Sequence, residues 1–450
     1  MASIHARTAL LASGWATDVR VETEHGRISW IATGVAPQPG DDCQHALIPG
    51  CPNLHSHAFQ RGMAGLSEAR GPSTDSFWTW RDVMYRFALS LSPDQAQAIA
   101  AQAYVEMLEA GFTRVGEFHY LHHDRDGRPY GDIAEMASQI CAAASATGLG
   151  LTLLPVFYAH ANFGGTPPHD GQRRFITRLD RFEHLLTETR RHASQLETAV
   201  VGIAPHSLRA VTEAELAELQ KLVPDGPIHI HAAEQLREVD DCLAWSAQRP
   251  IEWLLNHAGI DQRWCIVHAT HMTSNETAAL ARSGAVAGLC PVTEANLGDG
   301  IFSAADFCTA NGRFGIGTDS NILIDAAGEL RQLEYSQRLQ HRARNVLAGS
   351  GASTGRALYD QALAGGARAL GIVTPALAPG ASADMVSLDP DADAFAGLDG
   401  DRLLDAWIFA SHRMIDGVWV GGIKRVTAGR HHDGKPIGAR FKTVLREVLG

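Results

Sequence analysis

Positive charge is in short supply along this 450-residue chain. Its 38 Lys and Arg are outnumbered by 50 Asp and Glu, for a formal net charge of −12. A nucleic-acid surface needs a basic patch, so that balance argues against such a partner. Long apolar runs are absent too. No stretch reaches the roughly 18 residues of a spanning helix, which argues against a membrane role. The short apolar segment over residues 8–16 is broken by Gly14 and followed by Asp18, unlike a secretory core. The seven Cys are odd in number and widely spaced, with no CxxC pair. That excludes a disulfide framework or a Cys-rich zinc knuckle and points to reduced thiols in a cytoplasmic protein. Aromatics are few, with 15 Phe, 9 Trp and 7 Tyr. No internal repeat is visible. Bulk disorder is excluded by ordinary composition, 45% hydrophobic and 20% charged.

What is present is a rhythm. Apolar, largely β-branched runs fall at residues 47–54, 113–118, 151–158, 200–205, 228–232, 264–268, 286–290 and 314–319. They read as parallel strands buried on both faces. Helical composition fills the gaps, as over 93–109, 173–193, 212–222, 273–282 and 330–347. For 93–109, Ser92 is placed to cap the start and Gly111 follows the end. Eight βα units predict a (β/α)₈ TIM barrel, α/β in class, over residues 47–375. An open doubly wound sheet would carry a Gly-rich phosphate loop after its first strand, and none occurs. Residues 1–46 and 376–450 differ, with short strand-like pieces and Gly turns. They predict one small β-sandwich domain made from both termini, with strands at 383–388, 406–409 and 418–420.

The 22 His are the feature to explain. At the end of the first run stands Leu54-His55-Ser56-His57. Strand residues i and i+2 share a face, so both imidazoles point to the barrel mouth, where this fold keeps its sites. Alone, an HxH is weak, and two surface histidines would explain it. Later runs change the weighting. The fifth ends in His229-Ile230-His231 with Glu234 beyond, the sixth in His268, the eighth in Asp319. Potential metal ligands thus close four strands at one face.

This combination resembles the amidohydrolase superfamily. Residues 49–57 (PGCPNLHSH) are similar to its Pro-Gly-x-x-Asp-x-His-x-His segment, and residues 379–386 (PGASADMV) to its return into the small domain. His-Ala-Ala-Glu at 231–234 is similar to the HxxE of the deaminase branch. The resemblance covers almost the whole chain. It implies a metal held by His55, His57, His231 and Asp319. That donor set suits one Zn²⁺ per subunit with a position left for water, although iron is compatible with the same ligands. The fourth strand has no Lys to bridge a second metal. By the same resemblance, Asp319 orients the water and accepts its proton. His268 stabilises developing charge, and Glu234 carries a proton to the departing nitrogen. For His268 and Glu234 a purely structural role beside the ligands is the alternative.

Substrate choice must come from loops. Residues 54–65 and Phe77-Trp78-Thr79-Trp80-Arg81, read as a loop, resemble the formimidoylglutamate deiminases within that superfamily. The resemblance implies a small dicarboxylate substrate, N-formimidoyl-L-glutamate, hydrolysed to N-formyl-L-glutamate and ammonia in histidine degradation, by a homodimer. Two carboxylates require cations and donors. Arg81 and Arg209 can each make a bidentate pair, and Gln60, Tyr120 and His206 are placed to bind substrate. Solvated surface charge is the competing reading of each Arg. His122 and His123 run into Asp124-Arg125-Asp126-Gly127 and read as solvated, as do His160, His169, His271, His431 and His432. Two other functions compete: a guanine-type aromatic base deaminase with the same metal site, and a catalytically silent barrel. Glu234 and His268 beside the ligands argue against the second.

Overall fold

Continuous apolar runs are buried on both sides when a sheet closes on itself inside a ring of helices, one face packing the interior and the other the helices. In the computed structural model, which describes residues 2–70, 76–389, 391–410 and 414–450, each of the eight runs contributes a strand to the barrel. Cys51–Ser56, Phe112–His119, Gly150–Phe157 and the short pair Val200–Val201 and Ala204–Pro205 form one parallel set. Ile228–Ala232, Trp264–His268, Val286–Leu289 and Arg313–Ile316 form the other. Bridges Ile203↔Ile228, Ser207↔His231 and Ser56↔Asp319 join the two sets into a closed barrel. The seam between last and first strands is tight. A Cβ at Gly317 would lie 2.7 Å from the His55 carbonyl oxygen, so only glycine fits there.

Helices wrap the outside as composition predicts. Pro93–Glu109 opens on a capping box in which the Ser92 hydroxyl accepts the Gln95 N–H at 3.3 Å and the Gln95 side chain accepts the Ser92 N–H at 3.0 Å. Thr212 and Thr273 cap Glu213–Lys221 and Ser274–Ser283 in the same way. The segment Phe77–Ser90, expected as a loop, is a helix capped by Ser76. Its aromatic first turn hid an ordinary Ser-x-x-Thr start.

The termini build one eight-stranded mixed sheet. Ala2–Leu11, Gly14–Glu24, Arg27–Ala32 and Asp42–Pro49 join Met385–Leu388, Ile415–Val420, Ile423–Thr427 and Arg430–His431. The sheet curls over into a small sandwich-like domain. The N–H of Ile28 donates to the Ala381 carbonyl and that of Ala383 to Gly26, enclosing Ile4, Val21, Leu47, Met385 and Trp419.

Three expectations need correction here. The run 47–54 is two strands, not one. Asp42–Pro49 pairs with Met385–Leu388 in the terminal sheet, and the chain then turns at Gly50 into the barrel strand Cys51–Ser56. The boundary drawn between 46 and 47 therefore falls inside a strand. Residues 406–409 are not a strand but the end of the helix Asp401–Phe409, whose Leu403, Leu404, Trp407 and Ile408 bury one helical face. Finally, 434–450 does not extend the small sheet. It forms the helix Gly434–Leu449, which lies against Pro93–Glu109 and seats Val444 beside Ala96 and Ile99. Among the described residues no helix is long and apolar enough to cross a membrane.

Candidate active site

Strand alternation and loop hydrogen bonds aim the first two histidines. His57 follows its strand directly, and its N–H donates to the Asp319 carbonyl at 2.9 Å. The Asp319 N–H returns a bond to the His55 carbonyl at 3.0 Å. Asn321 locks this turn. Its side-chain amide donates to the Ser56 hydroxyl and to the carbonyls of His57 and Asp319, each at 3.1 Å. Backbone strain is concentrated here. Ala233, His268, Ala269, Asp319 and Asn321 all hold φ between 43° and 67°. Such left-handed residues cost on the order of 1 kcal/mol or more each and gather at functional sites.

Four side chains converge. Nε2 of His55 lies 3.1 Å from Nε2 of His231 and 3.3 Å from Oδ1 of Asp319. Nε2 of His57 lies 3.3 Å from that same oxygen. All four ligand atoms fall within 4.8 Å of one another, and all four residues are buried. Tetrahedral Zn–N and Zn–O bonds of about 2.0–2.1 Å would separate neighbouring ligand atoms by about 3.3 Å. Tautomers agree. Nδ1–H of His57 donates to the Phe118 carbonyl and Nδ1–H of His231 to the His206 carbonyl, both at 3.0 Å, leaving Nε2 with a free lone pair. Burial pushes His55 down to about 3 and also lowers His57 and His231, so the imidazoles are neutral donors. Burial opposes ionisation of Asp319, but the hydrogen bond from His55 and the surrounding imidazoles hold it well below the usual carboxylate range. Three neutral imidazoles and one carboxylate, gathered without a cation of their own, fit a divalent metal.

His268 and Glu234 stand beside this cluster. His268 Nε2 is 3.6 Å from Glu234 and 3.9 Å from Asp319, and its Nδ1 contacts Glu294 at 3.2 Å. Burial disfavours its charge, yet the three carboxylates outweigh burial and raise it well above its ordinary value. Burial pushes Glu234 up to about 7, against the pull of His268.

A cavity opens from these groups. Gln60, Arg81, Tyr120, His206 and Arg209 line it, together with His57, His231, Glu234, His268 and Asp319. Gln60 donates to the Tyr120 hydroxyl at 2.9 Å, and its Oε1 is buried without a partner. Nε of Arg81 and Nε of Arg209 are likewise buried and unpartnered. His55 sits behind the wall, in the ligand cluster only. The solvated reading fails for Arg209, which is buried, while Arg81 is half-buried with its Nε enclosed at the cavity wall.

Several residues escaped the sequence reading. Phe77, Trp80, Met84, Tyr85, Tyr158, Phe175 and Leu297 complete the cavity wall. Tyr158 packs against His206 with centroids 4.6 Å apart and the rings tilted by 58°. Glu238, four residues after Glu234, accepts the Glu234 N–H at 3.1 Å. That i, i+4 spacing was a usable signal. His122 and His123 are not solvated. Both are buried, donating to the carbonyls of Val156 and Ile176 at 2.8 Å. His431 is buried as well, on the Thr147 carbonyl. His160 is paired with Glu215 at 2.9 Å.

Residues 46–424 match the amidohydrolase family. The chain belongs to that family. Members are metal-dependent, in keeping with the buried His/Asp cluster. Residues 1–45 match the N-terminal domain of formimidoylglutamate deiminase HutF. A formimidoylglutamate deiminase of Pseudomonas aeruginosa is 51% identical over 455 residues, covering 100% of both chains. An 8-oxoguanine deaminase of the same organism is 26% identical, covering 90% of this chain and 89% of its own. Among solved structures, an amidohydrolase from Brucella melitensis superposes with a TM-score of 0.98 at 56% identity over 100% of both chains. A zinc-bound adenosine deaminase from Xanthomonas campestris, 22% identical and covering 99% and 98%, shares the fold at a TM-score of 0.84.

Proposed function

We propose that this chain hydrolyses a carbon–nitrogen bond in a linear amidine, converting N-formimidoyl-L-glutamate and water to N-formyl-L-glutamate and ammonia in histidine degradation. The full-length likeness to a formimidoylglutamate deiminase supports this. The observation that carries it is a single cavity joining the His/Asp cluster to two arginines, Arg209 buried and Arg81 half-buried, each with a buried, unpartnered Nε. Such groups demand an anionic ligand.

In this reading His55, His57, His231 and Asp319 hold one Zn²⁺ per subunit. When bound, the ion supplies a Lewis acid and makes water nucleophilic at neutral pH. Asp319 orients the attacking water and accepts its proton. A carbon–oxygen bond forms at the formimidoyl carbon. Glu234, poised near neutrality, pairs as a carboxylate with the amidinium end, takes up a proton given by the water and delivers it to the terminal nitrogen, which departs as ammonia when its carbon–nitrogen bond breaks. His268 opposes the negative charge that develops. Arg81 and Arg209 take the two carboxylates, while Gln60, Tyr120 and His206 fix the rest of the substrate. The free thiols, five of the seven buried, agree with a cytoplasmic enzyme, and a homodimer is the assembly proposed.

The test is ammonia release by zinc-loaded protein from N-formimidoyl-L-glutamate, beside guanine and a chelated control. Release is expected from the acyclic substrate alone and only with metal. Arg209→Gln and Arg81→Gln should each raise KM about tenfold to a hundredfold, the loss of one charged hydrogen-bonded pair. Turnover of guanine instead, with both variants unimpaired, rejects the proposal.

A further inference from the structure

Trp78 does not line the cavity, although Phe77, Trp80 and Arg81 on either side of it do. Its indole faces three cations from three separate segments. Arg81 Cζ lies 4.4 Å from its ring centroid, Arg237 Cζ 4.6 Å and Arg209 Cζ 5.7 Å. The placement follows from local structure. Ser76 caps the helix Phe77–Ser90, so Trp78 and Arg81 share a helical face at i, i+3. Arg209 follows the fourth barrel strand, and Arg237 stands in the first turn of Leu236–Ser246, three residues beyond Glu234.

Arg81 and Arg209 present a physical difficulty. Two guanidiniums lining one small cavity repel each other, and the Nε of each lacks a hydrogen-bond acceptor there. Glu238 and Glu234 attract Arg209, but among the described residues neither arginine makes a direct ion pair, so both need a support when the cavity holds no anion. An indole face attracts cations through its quadrupole, needs no counter-charge and is rigid. It can restrain both side chains without competing with an incoming carboxylate, as an Asp or Glu would. The contact to Arg237 further ties this helix to the segment that carries Glu234.

We infer that Trp78 is a positioning residue that holds Arg81 and Arg209 in a clamp shaped for a dicarboxylate. The inference rests on the proposed dicarboxylate reading of the cavity. Trp78 touches neither substrate nor the reacting atoms, so it acts on binding and not on the chemical step.

The experiment compares wild type, Trp78→Leu and Trp78→Phe, all zinc-loaded. It measures kcat and KM for N-formimidoyl-L-glutamate, and glutarate affinity by calorimetry. For Trp78→Leu, KM should rise and glutarate affinity fall about tenfold, with kcat changed less than about threefold. Trp78→Phe keeps an aromatic face and should recover most of the loss. A merely structural role would predict lower melting temperatures with kcat and KM both impaired, and no recovery by Phe. The inference is overturned if glutarate affinity is unchanged in Trp78→Leu, if kcat falls while KM holds, or if Phe is as poor as Leu. Should wild type ignore N-formimidoyl-L-glutamate yet bind glutarate in a Trp78-dependent way, the substrate assignment falls and the clamp stands.

Discussion

The His268 imidazole is held from two sides by acids. Glu294 accepts its Nδ1 proton at 3.2 Å and also the Cys290 N–H at 2.9 Å, while Nε2 faces Glu234 and Asp319. Those carboxylates keep the ring protonated against burial. Glu294→Gln keeps the shape and removes one supporting charge. The folded value of His268 should drop, so the imidazolium is lost at lower pH. The basic limb of kcat/KM should therefore move to lower pH, and kcat should fall about tenfold to a hundredfold, as for other outer partners of metal sites. A pH–rate profile of the zinc-loaded variant checks this, and an unmoved basic limb would contradict it. His268 was legible in the sequence because it closes a strand run. Glu294 was not. It lies in the first turn of the short helix Pro291–Leu297 after the seventh strand, where an acid is ordinary cap chemistry. His122 and His123 misled for a related reason. Their acceptors, the carbonyls of Val156 and Ile176, come from distant segments that no local composition reveals.

The strand Phe112–His119 is buried at every position and yet carries Glu117. The Glu117 carboxyl accepts the Ala58 N–H at 2.8 Å and contacts the Tyr104 hydroxyl at 3.2 Å, joining this strand to the turn after His57. Burial pushes it up to about 8, opposed by those hydrogen bonds. The ordinary value of 4.5 lies below this, so the folded state favours the protonated acid. That stabilisation is complete below about pH 4.5 and is lost as pH rises through about 8. Glu117→Gln removes the titration. Its melting temperature relative to wild type should climb between about pH 4.5 and about pH 8 and level off above that, and a constant difference across that range would refute the assignment. Elements were legible wherever period and length agreed, as in the strand runs after the first and the helix Pro93–Glu109. They were misread where a short window hid the period. Four apolar residues at 406–409 look like a strand until Leu403 and Leu404 are counted with Trp407 and Ile408. The Pro49-Gly50 break inside the first run was a turn signal that the apolar residues around it masked.

Across the whole molecule, the candidate metal ligands come from the first, fifth and eighth barrel strands or the turns directly after them, so an ion there would bind the two ends of the barrel to its middle. The seam where the last strand meets the first rests on a few bonds near the site, chiefly His57 N–H to Asp319 and Asp319 N–H to His55. The strained φ values of Asp319 and Asn321 lie in the same turn. A ligand that binds only the native state stabilises it by about 4 kcal/mol at a thousandfold excess over Kd, enough for a shift of several degrees in melting temperature. Chelation should lower the melting temperature by that order, and the loosening should be local. Amide exchange should accelerate at His57 and Asp319, whose bonds form the seam. It should change little at Ile4 and Val21, which pair within the terminal sheet away from the cluster. Hydrogen-exchange mass spectrometry of metal-loaded and chelated protein distinguishes the cases. Uniform acceleration across both domains would mean that the ion supports the fold globally, whereas no change at the seam would mean that the four side chains are held together by Asp319 and the Asn321 turn without it.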